Sequence, residues 1–317
     1  MSGEKKAHFQ KVKEENKRLI RNLLLKKAGL GISNLARESE LSYPTVASLI
    51  SELMKEGQVN ILEEAESCGG RPGLRYALNP EYRQGLVLVL MAEGLHGVVY
   101  DACGKVIKEY RREVSSDLTA EQLVAEIAGI QAENSNLTDI ALGIPGAVHE
   151  HEITHLPRFP HLLGSELAER IKGKTKASFC LENDLNAIVL TEVNEYRDFA
   201  HIAWIEGCIG VGIVLNGQVI KGSQGYAGEV DGLFVDGEAE CIRLAKCIVA
   251  LTCVLNLPHV FVSGRIYEAE LIARALREVE KCIPKERIPQ IHIVEDVQGL
   301  CQRGLWKRIL QKWKNEI

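Results

Sequence analysis

The sequence has no run of about eighteen apolar residues, the length a helix needs to cross a bilayer. It has no signal-peptide start either, since "MSGEKKAHFQKVKEENK" is polar and charged. A cytoplasmic protein with no membrane partner is therefore expected. CxxC pairs are absent, and the nine cysteines are scattered, which speaks for free thiols rather than a zinc ribbon or redox motif. Cys241, Cys247 and Cys253 recur at six-residue spacing in an apolar run, as expected of small buried side chains. Extremes of composition are missing too. With 317 residues, 46% hydrophobic and 26% charged, the chain is ordinary globular material, long enough for two or three compact units.

The net charge of −5 conceals an asymmetry. Residues 1–83 carry 14 Lys and Arg against 11 Asp and Glu, whereas the remainder carries 24 against 32. A mildly basic head on an acidic body points to nucleic acid as a partner of the head alone. The division expected is 1–82 for the head, 83–196 for a first lobe and 197–317 for a second.

Within the head, Val12, Leu19, Ile20, Leu23 and Leu24 follow helical spacing up to Gly29. In "ISNLARESELSYPTVASLISELMKEGQ", Leu35, Ala36, Leu41, Val46 and Leu49 have the spacing of a helix-turn-helix. Ala36 is small where two helices would cross, and Leu41 would plug the turn. Glu40 stands where many such turns have glycine. Ser42 is an N-cap candidate, and Pro44 suits a first helical turn, where its missing N–H costs nothing. Ser42, Tyr43, Thr45 and Ser48 are then left outward-facing, at the part of the second helix that enters a major groove.

Beyond Gly57 the pattern becomes strand-like. Val59 and Ile61, then Leu74, Tyr76 and Leu78, alternate on either side of "GGRPG". Such a hairpin reads as a wing, whose Arg71 and Arg75 would touch phosphate or the minor groove. A helical hairpin with a β-hairpin used for protein contacts is the competing reading.

The body opens with "GLVLVLMAEGLHGVVYDACGKVI", which reads as strand, turn, strand, turn, strand. Amphipathic "AEQLVAEIAGIQAE", the buried-strand run "DIALGIPGAV", a helix at "SELAERI", a strand at "ASFCLEND" and a helix over "LNAIVLTEVNEY" follow. A second meander begins at "HIAWIEGCIGVGIVLNGQVIKG". Two units that each start with a meander suggest a duplicated, two-lobed α/β body with a cleft between the lobes.

"GIPGAV", "LENDLNAIVLTE" and "GVGIVLNGQVIKGSQGYAGEV", preceded by "GGRPGLRYALN", together resemble the ROK family of repressors and sugar kinases, in particular its repressor branch. The resemblance runs from about residue 15 to 265 in the family's order. It implies a multidomain chain: a winged helix-turn-helix followed by an actin-like, ribonuclease-H-like body of sugar-kinase type. It also implies a sugar site in the cleft and a homodimer or dimer of dimers. Carried over by position, Asn183 and Asp184 match the sugar-binding pair, with Asp184 at the place of the family's catalytic base. Glu229 matches a sugar-hydroxyl carboxylate, the Gly146 turn is present, and His155 stands where an Asn is usual. The competing roles are local: Asp184 capping a helix over 185–196, and Glu229 stabilising a turn.

The departures fall on the other half of the cleft. Family kinases hold phosphate with Asp-x-Gly-Gly-Thr at the first turn, and here that turn is "MAEGLHG": Met91 or Ala92 replaces the Asp, no paired Gly or Thr hydroxyl remains, and Glu93 adds negative charge near where phosphate would sit. The second phosphate turn, Gly-Thr-Gly in kinases, is "EGCIGVG" with Glu206 and Cys208. Carboxylates there repel triphosphate, and side chains block close backbone approach. The adenine-side turn is "FVSGRI", with Ser263 and Arg265 around a single Gly264. The zinc loop is missing as well, with Gly232 where a His is usual. No catalytic residue, metal ligand or cofactor is therefore expected. The expected function is a DNA-binding regulator, a repressor of carbohydrate-related genes, with a double-stranded operator and a sugar or sugar-phosphate effector as partners. The alternatives are a sugar kinase with atypical phosphate loops and a regulator without a small-molecule effector.

Overall fold

The computed structural model describes residues 2–62, 73–205, 207–264 and 268–315. The chain begins with three helices, α1 (Ser2–Lys26), α2 (Ile32–Ser39) and α3 (Tyr43–Lys55), and a hairpin of β1 (Val59–Leu62) and β2 (Arg75–Leu78). Their apolar faces close on one core. Ile20, Leu24, Leu35, Val46, Leu49 and Leu53 are all buried, with Ala36 and Leu41 packed at its margin. Ser42 caps α3 by accepting from Thr45 N at 3.3 Å, with proline in the first turn. Glu40 sits in the left-handed region at φ 59°, which explains why glycine is common there: a Cβ is strained in that conformation. The alternation expected of the hairpin holds only near its base. Val59 and Tyr76 are buried, but Ile61 and Leu74, on the same face and nearer the tip, are exposed, because the helical core reaches only the base of the hairpin.

The body holds two five-stranded sheets with the same topology. The first takes β3 (Gln84–Met91), β4 (Gly94–Asp101), β5 (Val106–Arg112), β6 (Leu137–Ile144) and β9 (Ser178–Asn183), in the order β5-β4-β3-β6-β9. The second takes β10 (Phe199–Ile205), β11 (Cys208–Leu215), β12 (Gln218–Val219), β13 (His259–Gly264) and β14 (Gln290–Val294), in the order β12-β11-β10-β13-β14. In each, the meander is antiparallel and the last two strands join in parallel. Parallel joins need crossovers, supplied by α4 (Ala120–Glu133) and α5 (Leu167–Lys174) in the first lobe and α7 (Glu240–Leu255) and α8 (Ala269–Glu280) in the second. Thr119 starts α4 with a reciprocal capping box to Gln122. A small hairpin, β7 (Ala147–His149) and β8 (Glu152–His155), projects after β6.

Two features differ from the sequence-based expectation. The helix expected over 185–196 is α6, only Asp184–Val189. Beyond it the backbone tightens to Thr191 N→Ile188 O and Glu192 N→Val189 O. Lys307 Nζ donates to the Leu190 and Thr191 carbonyls, taking acceptors that a longer helix would use. The last helix, α9 (Val297–Asn315), falls within residues 197–317 but packs on the first lobe's sheet. Its Leu305, Trp306 and Ile309 join Val87, Val89 and Ala141 in one core with Leu185 and Ile188 of α6. Gly85 of β3 leaves room for Trp306, and Gly304 lets α9 lie directly against the Ala187 carbonyl of α6. The three-residue sixfold pattern of cysteines holds only partly: Cys241 and Cys247 are buried, whereas Cys253 is exposed.

Candidate functional site

On the head, burial of Val46, Leu49, Ile50 and Leu53 fixes which side of α3 faces in. Ser42, Tyr43 and Ser48 are exposed and Thr45 is half-buried. Ser42 has two tasks there, since its hydroxyl also lies 2.8 Å from the Thr45 hydroxyl. Arg75 is exposed at the start of β2. Arg71 and the rest of the hairpin tip lie outside the described residues.

Between the lobes lies a cavity of about 300 Å3 whose walls include Gly146, His155, Asn183, Asp184 and Glu229. All five residues singled out from the sequence thus come together, from four separate segments. The strand-to-helix junction explains how. β9 ends at Asn183, whose side-chain oxygen accepts from Asn186 N at 2.8 Å while its Nδ2 donates to Gly146 O at 2.9 Å. Asn183, not Asp184, is therefore the cap of α6, and it ties the 145–146 turn to that helix. This frees Asp184 from the capping role, although one of its oxygens accepts from Leu185 N at 2.8 Å. Beneath the pair, buried Glu182 is held by Lys221 Nζ, 2.7 Å from both its oxygens, and by Arg308.

Glu229 reaches the cavity through "GYAGE". Gly228 has φ +95° and lies so close to the Val211 carbonyl that a Cβ would collide with it, and its carbonyl accepts from Val211 N at 3.0 Å. Only glycine permits this approach. Burial, with the Asp231 charge adding to it, pushes the Glu229 carboxyl up from 4.5 to about 7. His155 packs edge-on to Tyr226, ring centres 5.4 Å apart. Two further charged residues line the cavity and were not singled out from the sequence, Arg158 and Asp231. Proximity was their signal: Arg158 shares a loop with His155, and Asp231 follows Glu229 by two positions. Carboxylates, an amide, an imidazole and a guanidinium around a partly apolar wall suit a small polyhydroxylated ligand, because each buried group rejects a molecule that leaves it unpaired.

The nucleotide side is built differently. Met91 pairs with Gly94, so the first would-be phosphate turn is a tight two-residue hairpin, and Ile205 pairs with Cys208 beside the second; Glu206 and Arg265 lie outside the described residues. Glu93 is the exposed corner of the first. Past Asp184, the space lined by Met91, Ile205, Val297 and Cys301 is about 20 Å3, room for about one water. Gly264 is pressed on the Trp204 carbonyl at φ +79°. These residues do not fit a magnesium-bound triphosphate. Nor do they fit a structural zinc: from Glu229 the chain passes through a short 3-10 turn, Asp231–Leu233, straight to α7. No group of three or more His, Cys, Asp or Glu gathers among the described residues.

Two equivalent sheets, a cleft between them and a helix closing the first lobe define an actin-like fold of the sugar-kinase type. A solved ROK family transcriptional regulator, a homologue of the E. coli Mlc protein, superposes with a TM-score of 0.65 at 17% identity, covering 96% of this chain and 100% of that one. Residues 92–242 match the ROK family model, and the chain contains a ROK family domain. It is 22% identical over 237 residues to the xylose repressor of Bacillus subtilis (strain 168), which takes in 71% of this chain and 62% of that protein. It is 30% identical over 183 residues to a beta-glucoside kinase of Listeria monocytogenes, 56% of this chain and 59% of that enzyme. The chain thus spans about three fifths of the length of such curated relatives. No described helix is long and apolar enough to cross a membrane.

Proposed function

We propose that the protein is a DNA-binding transcriptional regulator, a repressor of carbohydrate-related genes, whose cleft binds a sugar or sugar phosphate and does not phosphorylate it. The head acts as a winged helix-turn-helix. Ser42, Tyr43, Thr45 and Ser48 face the major groove, and Arg71 and Arg75 contact the backbone or the minor groove. The body provides effector sensing and the homodimer or dimer-of-dimers contacts that a palindromic operator demands. Xylose, named in several relatives, heads the list of effectors to try. The observation that carries this reading is the exposed polar start of α3, beside a hairpin, on a body whose cleft brings His155, Asn183, Asp184 and Glu229 together.

Deletion of residues 1–82 tests it. The full-length protein is expected to bind genomic operator fragments with an affinity that falls steeply with salt, and the truncated body is expected to bind none. A full-length protein that ignores DNA at low salt refutes the proposal. The second reading, a sugar kinase, draws on the likeness to a beta-glucoside kinase and on Asp184 in the cavity wall. The tight hairpin after Met91 and the small space behind Asp184 weigh against it.

A further inference from the structure

The walls of the cleft cavity differ in chemistry. Its amide and carboxylates come from the 183–184 junction and from the segment at Glu229, whereas the β10–β11 hairpin forms much of the rest. In that hairpin Ala203 pairs with Gly210 and Ile205 with Cys208. Antiparallel partners share a face, so these four stand on one side of the sheet, the side on which Ala203 and Ile205 pack with Leu185 of α6. All four line the cavity together with Leu185. Ala203 is buried at the back of this wall, Ile205 is half-buried and Cys208 is exposed. Among the described residues the face bears no charge, and its one polar side chain is a thiol, a weak donor.

Backbone contacts fix where the wall lies. Gly210 bridges to Glu229, so the wall starts beside that carboxyl. From Gly210 to Cys208 the strand advances about 7 Å. At the other side Ile205 shares with Asp184 and Pro145 the boundary to the small space behind them. A Cβ on Gly212 would stand 2.6 Å from the Leu185 carbonyl, so β11 rests directly on the backbone of α6 and the hairpin is pinned to the helix that Asp184 begins.

At the packing density of an organic crystal a pentose takes up roughly 160 Å3. The cavity has about 300 Å3, so a pentose held at Asn183, Asp184 and Glu229 leaves the hairpin face bare. Hydroxyls or a phosphate turned onto that face would be desolvated without partners, whereas an apolar group gains by leaving water there. We propose that the ligand of the cleft is a glycoside with an apolar aglycone. Asn183, Asp184 and Glu229 read its sugar ring, and its aglycone lies on Ile205, Cys208 and Gly210, at the turn where a kinase of this fold would hold phosphate. The inference rests on the reading of the cleft as a sugar site and names the class of sugar derivative that it takes.

The test is calorimetric titration of the full-length protein with phenyl xyloside, methyl xyloside and xylose, and with the same three forms of glucose and galactose, both anomers of each glycoside. For the sugar that the cleft accepts, the phenyl glycoside is expected to bind about tenfold or more tightly than the methyl glycoside, with a more negative heat-capacity change. Ile205→Ser is expected to bring that ratio close to one. Cys208→Asp, at an exposed position, is expected to do the same and serves if Ile205→Ser does not fold. Equal affinity for the phenyl and methyl glycosides overturns the proposal and leaves the sugar site standing, as does a phenyl preference that survives both substitutions. No binding of any sugar in any of the three forms overturns the sugar reading and this proposal with it.

Discussion

Asp184 divides two spaces that share Pro145 and Ile205 in their walls. On one side is a cavity of about 300 Å3 with Glu229, His155 and Arg158; on the other is about 20 Å3 among Met91, Val297 and Cys301. In a kinase both sides must be open to ligand and polar at once, because phosphoryl transfer needs an acceptor hydroxyl and a neutralised phosphate in line. Here the two sides have been built to different rules. A base such as Asp184 contributes about 10²–10⁴-fold to a rate, too little to replace the oriented charge that phosphate turns and metal supply. The difference teaches that an intact acceptor side is consistent with recognition and says little about catalysis.

The seam between the two spaces is α6 against α9, and breaking it should have the largest effect. Gly304→Ala places a Cβ against the Ala187 carbonyl. The gain in helix propensity is about 1 kcal/mol, but the collision with backbone outweighs it, and a net loss of about 3 kcal/mol in urea denaturation is expected. An unchanged midpoint would mean that the two helices do not touch.

The open side is probed by Glu229→Gln. Its folded-state value of about 7 against 4.5 means that the folded chain keeps a proton which the unfolded chain has released. Stability is therefore highest below about pH 4.5, falls as pH rises towards about 7 and stays reduced above it. Glu229→Gln is expected to flatten that slope and to add about 1–2 kcal/mol at pH 8, a figure discounted for partial solvent access. A slope that survives the substitution would place the titrating group elsewhere. On the closed side, Cys301→Ala removes one buried sulfur at the wall. It should cost about 1 kcal/mol and leave nucleotide affinity undetectable by calorimetry, because enlarging an apolar void creates no phosphate donors.

Local patterns carried much of this into the sequence. The Ser42 cap, the apolar spacing in α2 and α3, and the two meanders each rest on residues close in the chain. The five cleft residues could be named because the order of the motifs around them resembles that of a known family, not because periodicity or composition marks them. What could not be read depends on distant partners. Nothing in "LNAIVLTEVNEY" reveals that Lys307, more than a hundred positions later, takes the carbonyls at Leu190 and Thr191. The amphipathic pattern of α9 does not say which sheet it covers; that is decided by Gly85 and Gly304 leaving space. Arg21 looks like a solvated charge until packing buries it beside Gln58.

Calorimetric titration with magnesium ATP, paired with an ATP-consumption assay over pentoses, hexoses and amino sugars, tests the asymmetry of the cleft most directly. The expected result is no heat and no turnover with nucleotide, while one sugar binds in its absence and loses its binding in Asp184→Ala and Glu229→Ala. ATP turnover that disappears in Asp184→Ala would contradict it, for the closed side would then hold a nucleotide after all.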